Sequence, residues 1–237
     1  KIAERWVAAS QGQLSITLHT GALSIADALE LSRHAETLDI FATSVIGPCF
    51  FKPSTVDDLV EYCRIIAAAA PSKGFYYYHS GMSGLSLDME QFLIAAADKI
   101  PNLSGMKFNS ADMYEFQRCL RVNNRQFDIP FGVDEFLPAG LACGAVGAVG
   151  STYNYAAPLY HRLIDSFNRG DHQDVAACMD KVIAIIRVLI QYGGVAAGKL
   201  AMQLHSIDVG DPRRPLRPMT SEQKRVALDA FRAADFI

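Results

Sequence analysis

Short runs of apolar and β-prone residues at 14–20, 41–48, 74–79, 103–109, 128–134 and 145–152 recur about every 30 residues, with helical patterns between them. That recurrence limits the fold more than any other feature, because about 30 residues is the length of one strand and its crossover helix. Phe75-Tyr76-Tyr77-Tyr78 and Ala145-Val146-Gly147-Ala148-Val149 are apolar on both faces, as strands of a parallel sheet are when helices cover both sides. Six such units suit a doubly wound sheet or a barrel that lacks its first two units. The chain opens without Met on Lys1-Ile2-Ala3-Glu4-Arg5-Trp6-Val7, which reads as the middle of a helix, so the natural start is expected upstream.

Helix starts are predicted at Ser24, at Ser54 or Thr55, at Ser86 and at Ser110. From Val175 onward Cys178, Met179, Val182, Ile185, Ile186 and Leu189 form an i, i+3, i+4 stripe that ends at Gly193-Gly194, and no strand pattern follows. Prolines 212, 215 and 218 rule out a helix there, and Arg213, Arg214 and Arg217 read as part of a solvated connector. Thr220 with Gln223 offers a capping box for a last helix.

Half of the 237 residues are hydrophobic and 20% are charged, which excludes disorder, and a formal net charge of −3 gives no electrostatic reason to expect nucleic acid or an anionic membrane surface. The partner expected is a small molecule. Five widely spaced cysteines with no C-x-x-C pair argue against a disulfide framework or a zinc site and point to a reducing compartment, read as the cytosol. The apolar stretch from Val182 to Ile190 is broken by Arg187 and too short to span a bilayer.

In either fold the site lies at the C-terminal ends of the strands, which here carry Tyr78-His79, Lys107 and Asn109, Asp134-Glu135, and Ser151-Thr152. Lys107 is a lone amine in the strand-like run Leu103-Ser104-Gly105-Met106-Lys107-Phe108-Asn109. Burial disfavours an ammonium, and a neutral amine is what attacks a ketone to make an imine. Strand alternation puts Tyr76 with Tyr78 on one face and Gly105, Lys107 and Asn109 on one face. A phenol beside an amine can shuttle protons for imine chemistry, and Tyr78, last before the loop, is the candidate, while Tyr76 and Tyr77 read as core. Asp134-Glu135 has no histidine at ligand spacing, so hydrogen bonding to polyol hydroxyls fits it better than a metal. The glycines of 144–150 have the wrong spacing for a dinucleotide fingerprint and read as close packing within a strand. Histidines 19, 34, 161, 172 and 205 form no recognisable constellation.

Phe75-Tyr76-Tyr77-Tyr78-His79, Gly105-Met106-Lys107-Phe108, Phe131-Gly132-Val133-Asp134-Glu135 and Gly150-Ser151-Thr152-Tyr153-Asn154-Tyr155, in that order, resemble the pyruvate-dependent class I aldolases. The family is the N-acetylneuraminate lyase and dihydrodipicolinate synthase superfamily, and the lyase branch fits best. The resemblance covers the whole chain. It implies an α/β fold of the (β/α)8 TIM barrel type, N-terminally incomplete in this chain, with residues 1–170 as the barrel and 171–237 as a C-terminal helical extension. It also implies a homotetramer and reversible cleavage of sialic acid to N-acetylmannosamine and pyruvate without metal or organic cofactor. Lys107 would form the Schiff base and Tyr78 would shuttle the proton. Asn109, Gly132, Asp134, Glu135 and Ser151 would bind the substrate. The alternatives are another pyruvate or 2-keto-acid aldolase or synthase of the superfamily, or a silent barrel that binds a keto acid.

The chain departs from the family at four places. The Gly-Thr-Thr-Gly-Glu-type loop that grips the substrate carboxylate would lie before Lys1. Ser80-Gly81 stands where Ile-Pro or Val-Pro is usual, Asn109 where the lyases carry Thr or Ser, and Phe50-Phe51 where some relatives place a tyrosine that reaches across a subunit interface.

Overall fold

The computed structural model describes residues Lys1 to Phe236, which fall into two compact units. The first unit comprises Lys1–Gly132 and Cys143–Gly147. Its strands β1 (Thr17–His19), β2 (Ala42–Ile46), β3 (Gly74–Ser80) and β4 (Leu103–Asn109) form a parallel sheet in the order β1-β2-β3-β4. Helices α1 (Ile2–Ser10), α2 (Ile25–Glu36), α3 (Val56–Ala67), α4 (Met89–Ala97) and α5 (Met113–Cys119) alternate with them. Phe75, Tyr77, Met106 and Phe108 are fully buried on one face, and Tyr76 and Gly105 are buried on the other, which explains why these strands read as apolar on both faces.

A bulge sets the register that matters for chemistry. Phe75 pairs with Leu103, but the next residue, Tyr76, pairs with Gly105, so Ser104 is the extra residue. Without that slip Tyr78 would lie opposite Met106. With it Tyr78 lies opposite Lys107 and Ser80 opposite Asn109.

The expected strand at 128–134 is reduced to bridges of Asp128 with Gly105 and Phe131 with Phe108. The segment still runs beside β4: Met106 N–H donates to the Asp128 carbonyl at 3.0 Å and Gly132 N–H to the Phe108 carbonyl at 2.7 Å. Pro130 has no N–H to give, which interrupts the ladder. Gly105 is required here, because a Cβ on it would lie 1.7 Å from the Asp128 carbonyl oxygen. The run expected as a strand at 145–152 forms no ladder among the described residues, although Phe131 N–H reaches the Gly147 carbonyl at 2.9 Å.

Two of the helix caps differ from expectation because a carboxylate outcompetes a hydroxyl. Asp88, not Ser86, caps α4 by accepting from Gln91 N–H at 3.0 Å, and Arg118 holds it at 2.6 Å. Asp112, not Ser110, caps α5 by accepting from Glu115 N–H at 2.9 Å. Thr55 caps α3 in a capping box with Asp58.

The second unit comprises Val133–Ala142 and Ala148–Ile237. It holds most of α6 (Leu137–Cys143), then α7 (Tyr153–Asn168), α8 (His172–Tyr192), α9 (Gly194–Ala201) and α10 (Ser221–Ala233). The stripe on α8 is buried at Val175, Cys178, Val182, Ile185 and Leu189, and the capping box of Thr220 and Gln223 opens α10. Asp174, near the start of α8, pairs with Arg162 of α7, whose guanidinium brings that carboxyl down to about 2. No helix of the described residues is long and apolar enough to cross a membrane.

Candidate active site

Lys107 reaches across from β4 so that Nζ stands 4.1 Å from the centre of the Tyr78 ring on β3. The amine is half-buried and has no carboxylate partner among the described residues. Gly132 closes over it: a Cβ there would lie 3.0 Å from Lys107 Cε and 2.8 Å from Asn109 Cβ, so any larger residue would displace the lysine stem. Asn109 Nδ2 lies 3.4 Å from the Tyr78 hydroxyl and 3.3 Å from Ser80 Oγ. Lys107, Tyr78, Asn109 and Gly132 therefore form one cluster at the C-terminal ends of β3 and β4. Tyr76, at the other end of the same face, donates to Asp128 at 2.9 Å. Burial first, and that carboxylate second, hold its phenol well above the usual range, which keeps it a structural donor.

His19 belongs to this cluster, although nothing in its sequence surroundings marks it. Its ring meets Tyr78 edge-on at 6.4 Å, and Nε2 accepts from Ile46 N–H at 3.1 Å. That bond puts the proton of the neutral ring on Nδ1. Desolvation, and then the Lys107 amine, hold its imidazole below the usual histidine range, so it stays neutral beside the lysine.

In the second unit Asp134 and Glu135 sit in a short 3-10 turn, not on a strand, and they differ sharply in environment. Asp134 is 5% exposed, while Glu135 is exposed. Thr152 donates to Asp134 Oδ2 twice, from N–H at 3.0 Å and from Oγ1 at 2.6 Å. Oδ1 has no hydrogen-bond partner among the described residues. Gly150 makes room for this carboxylate, since a Cβ there would fall 1.6 Å from Oδ1, which replaces the strand-packing reading of that glycine. Asp134 thus fixes the turn that carries the exposed Ser151 into α7. Among the described residues no group of three or more His, Cys, Asp or Glu is placed to hold a metal ion.

The model of the dihydrodipicolinate synthetase family matches residues 1–234. The chain belongs to that family. It is 37% identical to the N-acetylneuraminate lyase of Mus musculus over 242 aligned positions, covering 100% of this chain and 76% of the mouse protein. The solved Proteus mirabilis N-acetylneuraminate lyase superposes with a TM-score of 0.99 at 79% identity, covering 100% of this chain and 80% of that one. The N-acetylneuraminate lyase (sialic acid aldolase) of Aliivibrio salmonicida gives a TM-score of 0.99 at 66% identity, covering 100% and 79%. The fold class is therefore the (β/α)8 barrel of the dihydrodipicolinate synthetase family, and the doubly wound alternative falls away.

Proposed function

We propose that this chain is an N-acetylneuraminate lyase that cleaves its substrate reversibly to N-acetylmannosamine and pyruvate through a Schiff base on Lys107. One observation supports the reading above the rest: the amine over the Tyr78 ring on paired strands, in a family member that is 79% identical to a solved lyase. The chain is a carbon–carbon lyase of its family.

The steps follow from those groups. The Lys107 amine adds through its lone pair to the ketone carbon of the open-chain sugar acid, and uptake of one proton with loss of water gives a protonated imine. That imine is the electron sink. As the hydroxyl on the far carbon of the bond to be broken gives up its proton, through Tyr78, that carbon becomes the aldehyde carbon, the carbon–carbon bond breaks and its electron pair moves toward the imine nitrogen. N-acetylmannosamine leaves as the aldehyde, and an enamine of pyruvate stays on the lysine. Protonation of its terminal carbon and hydrolysis release pyruvate and restore the amine. No metal or organic cofactor enters these steps.

Gly132, Glu135 and Ser151 are proposed to bind the substrate, and Asp134 to act through the Thr152 turn and its uncommitted Oδ1. An exposed carboxylate contributes to specificity only when substrate hydroxyls cover it. Glu135→Gln is therefore expected to lower kcat/KM for N-acetylneuraminate roughly 10- to 100-fold, as charge-assisted bonds of about 1.5–3 kcal/mol imply. A short 4-hydroxy-2-keto acid, which has no polyol tail, should lose little. Equal losses on both substrates would remove Glu135 from the binding role.

The reading assigns residues 1–170 to the barrel and 171–237 to a helical extension. It also takes the protein to be a cytosolic homotetramer. The unpaired thiols of Cys49, Cys63, Cys119, Cys143 and Cys178 support a reducing compartment. The adjacent rings of Phe50 and Phe51, 78% and 85% exposed, are a surface that a neighbouring subunit would cover.

A further inference from the structure

We propose that Asn109 acts on Tyr78 rather than on the substrate: its side-chain amide spends one hydrogen on the phenol oxygen and the other on Ser80, and so dedicates the Tyr78 proton to the reaction. The inference rests on the Schiff-base reading above. Asn109 Nδ2 carries two N–H donors, and two hydroxyl oxygens stand within reach, Tyr78 at 3.4 Å and Ser80 at 3.3 Å.

The Ser80 arm fixes which way the amide faces. Ser80 is buried at 1% exposure, and its Oγ also accepts from Met82 N–H at 3.3 Å in the turn that begins the β3–α4 loop. Its carbonyl accepts from Ser83 Oγ at 2.8 Å, so this end of the loop is tied down at several points. Asn109 lies opposite Ser80 in the β3–β4 register, and both side chains are carried by paired strands rather than by a mobile tip.

The consequence is directional. A hydroxyl side chain at 109 could either give a proton to Tyr78 or take one, and in the second arrangement the phenol proton would be occupied. An amide nitrogen only donates. With Nδ2 pointed at it, the Tyr78 oxygen receives a hydrogen bond and keeps its own O–H free to point elsewhere, which is what a proton shuttle beside Lys107 needs.

The test is a double-mutant cycle on the full protein with Asn109→Ala, Ser80→Ala and Tyr78→Phe, reading kcat for N-acetylneuraminate cleavage and reductive trapping of pyruvate separately. Asn109→Ala is expected to lower kcat about 10-fold, the order of one hydrogen bond, with pyruvate trapping and KM little changed. In the Tyr78→Phe background the same substitution should change kcat less than about 2-fold, because the oxygen it serves is gone. Ser80→Ala should give a smaller kcat loss that also vanishes with Tyr78→Phe, and it keeps the test open if Asn109→Ala folds poorly.

An undiminished 10-fold loss in the Tyr78→Phe background, or a loss confined to KM, would overturn the proposal and return Asn109 to substrate binding. A Tyr78→Phe variant with normal turnover would overturn it as well, and would show that the shuttle assignment itself had failed.

Discussion

Lys107→Met should abolish turnover while leaving the fold intact, and Lys107→Arg should be no better. Methionine reproduces the length and apolar stem of lysine without the amine. That matters because Gly132 packs against Cε and leaves no slack around the stem. Arginine keeps a positive charge but cannot be deprotonated in a protein, so it cannot add to a ketone. If Lys107 merely attracted the substrate carboxylate by its charge, arginine would retain activity. If it is the nucleophile, both variants should lose on the order of 10⁴-fold or more in kcat, as removal of a covalent nucleophile does elsewhere.

Two other lysines of the same unit have partners of their own. Lys52 donates to the Gly84 carbonyl at 3.0 Å, and Lys99 pairs with Asp57 at 2.7 Å. Turnover is measured by release of N-acetylmannosamine, with melting temperature as the folding control. Retention of more than a few per cent of activity by Lys107→Arg would remove the covalent mechanism.

Tyr78→Phe is the second large effect, expected to slow turnover about 10²–10⁴-fold while pyruvate still traps on the lysine. The ring face that Lys107 lies over survives this change, and only the hydroxyl is lost. Among the described residues the hydroxyl has a single long hydrogen bond, from Asn109 at 3.4 Å, so stability should fall by no more than about 1 kcal/mol. Separation of the two readouts is the point: imine formation preserved, bond cleavage impaired. Loss of trapping together with turnover would mean that Tyr78 serves to place Lys107 rather than to move a proton.

Much of this was legible in the residues. The apolar run around Lys107 and the tyrosine run predict two paired strands, and alternation groups Tyr76 with Tyr78 on one strand and Gly105, Lys107 and Asn109 on the other. The one-residue slip at Ser104 that aligns them was not legible, because a bulge depends on how the partner strand packs and leaves no periodic mark. Asp134 and Glu135 look equivalent in sequence, yet Thr152 and Gly150 bury the first and leave the second exposed. His19 was missed because the residues that hold it, Ile46 and Tyr78, lie on other strands. The strand expected over 128–134 failed at Pro130, a breaker visible in the sequence but outweighed there by the apolar pattern around it. Ser80 and Asn109, which read as two separate departures from the family, prove to be hydrogen-bond partners.

The most direct measurement is reductive trapping of the unmodified protein with pyruvate and borohydride, followed by proteolysis and mass spectrometry of the labelled peptide. The account predicts one adduct per chain, on Lys107 within Leu103–Asn109. An adduct on Lys99 or Lys199 instead, or an active protein that carries none, would contradict it.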